Sequence, residues 1–129
     1  MSGWLRHGNK CYHFSHDKES WINALNMCKL FGGNLVEVET ATENSYIAAI
    51  VKLRGLEYWI GLTDVFEEGI WLWISNKNQL SDSGYVNWRH GEPNNERSNE
   101  NCAEMETSGL WNDDSCDKSQ HFICETVNR

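Results

Sequence analysis

The sequence predicts a single α+β domain spanning residues 1–129. Three observations carry that prediction. Two stretches in the first half place apolar residues at helical spacing. Short apolar runs bounded by polar turns precede and follow them, as strands do. Seven Trp, four Tyr and four Phe supply the aromatic mass of a packed core, which a disordered chain would not carry.

The elements follow in order. Residues 10–15, KCYHFS, alternate with period two and read as an edge strand. From Ser20, the segment SWINALNMCKLF sets Trp21, Leu25, Cys28 and Phe31 on a helix that Gly32–Gly33 stop. Residues 34–39, NLVEVE, alternate apolar and polar as a half-buried strand does. Thr42 opens a second amphipathic helix, TENSYIAAIVKLR, closed by Gly55. Residues 57–63, EYWIGLT, and 70–74, IWLWI, are short apolar strands separated by an acidic turn, with Trp59, Trp71 and Trp73 in the core. After Trp88 come about twenty-five polar, Asn-rich residues broken only by Leu110–Trp111. HFICE, 121–125, closes the chain as a strand in which His121 is structural.

Charge narrows the function. Nineteen Asp and Glu stand against eleven Lys and Arg, a net charge of −8, so nucleic acid and anionic membrane are excluded as main partners. No apolar run approaches the ~18 residues of a membrane span, so no membrane insertion is expected. The opening MSGWLRHGNK lacks the apolar core of a signal peptide, so a secreted form would have lost one upstream. Five cysteines (Cys11, Cys28, Cys102, Cys116, Cys124) in so short a chain point to an oxidising, extracellular compartment. None forms a C-x-x-C pair, and counting alone leaves fifteen ways of making two bridges open. A long staple would contribute roughly 4–5 kcal/mol and a ~15-residue loop about 3.

The polar stretch carries the candidate chemistry. Residues 92–117 hold eight acidic side chains (Glu92, Glu96, Glu100, Glu104, Glu106, Asp113, Asp114, Asp117) against Arg97 alone. Such a loop repels itself unless a cation neutralises it. Pro93, the one proline, makes a cis Glu92–Pro93 bond accessible. Glu92, Asn94, Glu100, Asn112 and Asp113 are all oxygen donors, and Ca²⁺ takes 6–8 oxygens from carboxylates, amide carbonyls and water. Zinc fits less well, because no His or Cys lies among these donors. Trp111 is expected to pack beneath the loop and His90 to be solvated, while Glu96 and Arg97 stand where they could tune ligand choice. The sequence shows no Gly-rich phosphate loop, nucleophile elbow or H-E-x-x-H. Carboxylates interspersed with amides suit metal coordination rather than proton transfer, so no enzyme is expected.

Over essentially its whole length the sequence resembles the C-type lectin domain. The residues that carry the resemblance are the helix with Trp21 and Cys28, the strand Trp59-Ile60-Gly61-Leu62, Glu92-Pro93-Asn94, Trp111-Asn112-Asp113, and cysteines 28, 102, 116 and 124. The resemblance implies bridges Cys28–Cys124 and Cys102–Cys116, and two helices with two small antiparallel sheets and a long calcium-binding loop region. It also implies a sugar-binding calcium held by Glu92, Asn94, Glu100, Asn112 and Asp113. In the family Glu-Pro-Asn goes with mannose-type sugars, so mannose, N-acetylglucosamine, glucose and fucose are the implied ligands. Many members hold an auxiliary calcium. Asp64 and Glu68 match that site, but Asn95 and Asn101 stand where some members carry aspartate, so a weak auxiliary site or none is expected. Cys11, whose counterpart in longer members pairs with a cysteine shortly upstream, is expected to be unpaired, paired with a residue lost upstream of Met1, or a route to a disulfide-linked homodimer. The rival to a sugar ligand is a lectin-like domain that binds protein, mineral or ice, since fold does not fix function.

Overall fold

A computed structural model describes residues 3–80, 84–92 and 100–127. The chain opens with a hairpin of β1 (Leu5–His7) and β2 (Lys10–Phe14), paired Leu5 to Tyr12. All three β1 residues are exposed, so the strand leaves no alternation to read in the sequence. Helix α1 (Trp21–Leu30) starts at Ser20, whose hydroxyl accepts from the Asn23 N–H. It buries Trp21, Ala24, Leu25 and Cys28.

The expected strand over 34–39 is shorter: β3 covers only Asn34–Leu35. The Glu37 N–H leaves the ladder for the Glu125 carboxylate at 2.7 Å, and the sheet hydrogen bonding stops there. Helix α2 (Ala41–Arg54) begins one residue earlier than Thr42 suggests. Thr40 is its cap, accepting from the Glu43 N–H at 3.1 Å, and Glu43 returns the bond to the Glu39 N–H at 2.8 Å. Gly55 ends it in the left-handed region at φ 66°, where a side chain would be strained.

Strand β4 (Tyr58–Thr63) is buried at every position because it is central, lying between β8 and β6. Gly61 is obligatory here: a Cβ would sit 2.8 Å from the Leu35 carbonyl and 2.9 Å from that of Val36. Strand β5 is only Leu72–Trp73. The polar stretch, expected to be loop, contains a hairpin of β6 (Cys102–Met105) and β7 (Trp111–Asp114), and β8 (His121–Val127) ends the described chain. The order is β1-β2-β8-β4-β6-β7, with β3 on β8 and β5 on β4. Antiparallel ladders on either side meet where β4 and β8 pair in parallel, Tyr58 to His121 and Trp59 to Phe122.

One core cluster lies under α2 and includes Ile47, Val51, Ile60, Trp73 and Trp111. A second, under α1, includes Trp21, Leu35, Trp59 and Phe122. Cys28–Cys124 ties α1 to β8, and Cys102–Cys116 ties the base of the β6–β7 hairpin to the residues after it. Cys11, half-buried on β2, lies outside both bridges. Between β2, α2 and β8, the Lys10 ammonium sits among oxygens at 3.0–3.1 Å: the Glu37 carbonyl and the carboxylates of Glu39, Glu43 and Glu125. No helix among the described residues is long and apolar enough to cross a membrane.

Candidate functional site

The β6–β7 hairpin is the platform of the site. Its register sets Glu104 opposite Asn112 and Ala103 opposite Asp113. Trp111 anchors it from below. The indole is fully buried, donates from Nε1 to Asn44 Oδ1 at 2.9 Å, and meets the rings of Trp73, Tyr85 and Trp88 edge-on. The expectation that Trp111 packs rather than faces a ligand holds, and Trp59, Trp71 and Trp73 are core as expected.

Residues 87–92 run alongside β7 and close the twenty-residue gap between Glu92 and Asn112. The Trp111 N–H donates to the Asn87 carbonyl and the Arg89 N–H to the Trp111 carbonyl, both at 2.8 Å. A turn closed by the Glu92 N–H on the Arg89 carbonyl, 2.9 Å, then swings Glu92 over the hairpin. Its carboxyl meets that of the fully buried Asp113. Burial first, then the hydrogen bond and charge of Asp113, raise the Glu92 carboxyl above its ordinary value, while Arg89 opposes them.

Three of the five expected ligands, Glu92, Asn112 and Asp113, are thus brought together. Glu100 stands half-buried two residues before β6. Asn94, the Glu92–Pro93 bond, Asn95, Glu96 and Arg97 lie outside the described residues. His90 is exposed, as expected.

Of the auxiliary residues, Asp64, Glu68 and Asn101 also converge. The Asp64 N–H donates to the Asn101 carbonyl at 3.1 Å. In the orientation that satisfies both neighbours, the Asn101 amide nitrogen donates to Asp64 Oδ1 at 3.0 Å and Glu68 Oε1 at 3.1 Å. Turned over, the same amide presents its oxygen to them instead. Burial pushes the Asp64 carboxyl up to about 6, against the Gly69 N–H and together with Glu68.

The sequence reading did not single out four residues around the site. Arg89 Nη2 donates to Glu92 Oε2 at 2.9 Å and Asn112 Oδ1 at 3.3 Å, and its Nε lies 3.6 Å from Glu106 Oε1. Glu104, almost wholly buried, accepts from Asn112 Nδ2 at 3.0 Å and so turns the Asn112 carbonyl outward. Burial pushes the Glu104 carboxyl up to about 7, with Asn112 opposing and the charges of Glu57 and Asp114 adding. Glu57, Glu104 and Glu106 have carboxylate oxygens within 4.8 Å of one another. The available signal was the three-residue spacing of Arg89 from Glu92, the first residue of the acidic window.

Comparisons with known proteins agree with this architecture. The Lectin C-type domain family matches residues 17–126. The hepatic lectin of Gallus gallus is 34% identical over 122 residues, covering 95% of this chain and 57% of that protein. The chain spans about half the length of such curated relatives. Among solved structures, the cow carbohydrate-recognition domain of CD23, determined in the presence of a GlcNAc2Man3 oligosaccharide, aligns with a TM-score of 0.90 at 31% identity. That alignment covers all of this chain and 96% of the other. A calcium-independent type II antifreeze protein aligns with a TM-score of 0.85 at 27% identity, over 98% and 93% of the two chains. Family members are binding proteins, not enzymes. By fold, disulfides and matched residues, this chain belongs to the C-type lectin domain family.

Proposed function

We propose that this lectin domain binds mannose-type sugars, namely mannose, N-acetylglucosamine, glucose and fucose, through a calcium ion held by Glu92, Asn94, Glu100, Asn112 and Asp113. The observation that carries the reading is the meeting of the Glu92 and Asp113 carboxyls beside the outward-facing Asn112 carbonyl. Like-charged oxygens held against one another are what a divalent cation neutralises, and an all-oxygen donor set selects a hard one.

Calcium, when bound, would offer open coordination positions to a vicinal pair of sugar hydroxyls. Each hydroxyl keeps a proton to donate and a lone pair to accept with. The carboxylates of Glu92 and Glu100 can only accept, so they take the protons. Asn112 Nδ2 carries two protons; Glu104 takes one, and the other remains for a sugar oxygen. Asn94 would serve the second hydroxyl in the same way. We propose the auxiliary site of Asp64, Glu68, Asn95 and Asn101 as weak, because Asn95 and Asn101 bring neutral amides where two carboxylates would add charge for a cation.

The test is retention on immobilised mannose with and without calcium, competed by free mannose and free galactose. Calcium-dependent retention released by mannose is expected. Exchanging Glu92→Gln together with Asn94→Asp reverses the order of acceptor and donor, so preference is expected to move toward galactose; unchanged preference would sink the donor–acceptor argument.

A second reading has its own observation. The likeness to a calcium-independent antifreeze protein supports protein, mineral or ice as the alternative ligand, since fold does not fix function. Calcium binding without sugar retention would favour it. Single shallow sites bind sugars weakly, and further copies raise avidity. Cys11 is the residue to examine for a dimer: on non-reducing electrophoresis, a monomer band with a free thiol ends that idea. The two disulfides fit an extracellular, secreted location.

A further inference from the structure

We propose that Arg89 sets the calcium threshold of this site, because its guanidinium already holds the oxygens of Glu92 and Asn112 that the metal would use. The inference rests on the calcium reading above and deepens it.

Arg89 is held in place from its backbone outward. Its N–H bonds the Trp111 carbonyl of β7, and its own carbonyl receives the Glu92 N–H. The side chain then reaches back over the hairpin. One nitrogen, Nη2, serves both Glu92 Oε2 and Asn112 Oδ1, while Nε faces Glu106 on the opposite side of the turn. Glu92 and Asn112 therefore present their oxygens to a cation that belongs to the protein.

A guanidinium stays charged at any working pH, so acid–base chemistry does not relieve this competition. An incoming divalent ion meets two obstacles. The hydrogen bonds to Glu92 and Asn112 must loosen, and a positive charge remains a few ångströms from the metal. Neither obstacle is prohibitive, because the Arg89 side chain is 47% exposed and water solvates it readily on release. Glu106 gives the released guanidinium a second anchor that no expected ligand uses. The outcome is a raised threshold rather than a block.

The experiment is calorimetric titration of calcium into the protein, Arg89→Gln, Arg89→Lys and Arg6→Gln. Arg6 lies exposed on β1, at the opposite end of the strand order from β7, and controls for the loss of one positive charge. Arg89→Gln is expected to tighten calcium binding by roughly tenfold, with Arg6→Gln unchanged. Arg89→Lys falls between them, because it keeps the positive charge but lacks the rigid guanidinium plane that reaches Glu92, Asn112 and Glu106 together. Equal thermal midpoints in chelator establish that the variants fold. Calcium bound by the protein and by Arg89→Gln within about twofold overturns the proposal alone. Weaker binding by Arg89→Gln overturns it too, and would make Arg89 a support for Glu92. Binding by neither overturns both the proposal and the calcium reading.

Discussion

Two cations in this molecule are surrounded by carboxylates, and they differ in one respect above others. Lys10 donates to four oxygens with three protons, and its side chain is 12% exposed. Although burial pulls the ammonium down, the charge of Glu125 and the bonds and charges of Glu43 and Glu39 hold it well above its ordinary value. Its partners are themselves committed: Glu43 accepts from the Tyr12 hydroxyl, and Glu125 from the Glu37 N–H. Arg89 also meets two carboxylates and an amide oxygen, but at the solvent boundary and with neighbours that have another use. The contrast separates a cation built into the fold from one that can be exchanged. Buried, the charge is locked because each group left behind would be stranded without water. Exposed, it can be replaced by an incoming ion at little cost.

The largest break in this comparison is expected from Lys10→Met. It strands the Glu43 and Glu125 carboxylates beneath α2, and stability is expected to fall by about 3–5 kcal/mol in urea titration. A loss under about 1 kcal/mol would mean that water reaches the cluster. Next comes Asp113→Asn. Calcium affinity is expected to drop on the order of a hundredfold by calorimetry, with the unfolding midpoint in chelator unchanged or raised, since a carboxyl pressed against Glu92 is removed. A large loss of stability in chelator would place Asp113 with Lys10 as a structural group.

The smallest effect concerns Glu104, buried and lifted to about 7. Its folded value lies above its unfolded one. The stability it contributes is therefore fully present below about pH 4.5 and is lost as pH rises through 7. Relative to the parent protein in chelator, Glu104→Gln is expected to gain about 2 kcal/mol between pH 5 and pH 8. Parallel pH profiles for the two proteins would contradict this.

Both helices, the central strand and the closing strand were legible in the sequence, because Trp21, Leu25, Cys28 and the run Tyr58–Thr63 report burial through their own periodicity or apolar continuity. Strands β6 and β7 were not. Glu104 and Asp113 are polar residues buried, and Asn112 half-buried, by the site they form, and hydropathy reads such residues as loop. The shortening of β3 was hidden for a related reason: Glu125, 88 residues away, takes the N–H that alternation assigns to a sheet. In the site, the resemblance supplied Glu92, Asn112 and Asp113, which the fold then gathered. Arg89 escaped because its role depends on which side of the hairpin turn it lies, and that is a property of the register between residues 87–92 and β7.

Asn44 grips the site hairpin with both ends of its amide. Oδ1 accepts from Trp111 Nε1, and Nδ2 donates to the Gly109 carbonyl at 3.3 Å. At the other end the Cys102–Cys116 bridge closes the hairpin on itself and the Trp21 N–H donates to the Cys116 carbonyl at 2.9 Å, so the hairpin carrying Asn112 and Asp113 is pinned to the body of the domain at two separate points. The molecule therefore divides into a fixed mount and an interchangeable head. Exposed polar positions beside the hairpin can then be exchanged at little cost to folding, which rests on buried residues such as Trp111 and Asn44. A frame of this kind allows ligand preference to drift in small steps without a new fold having to be found each time.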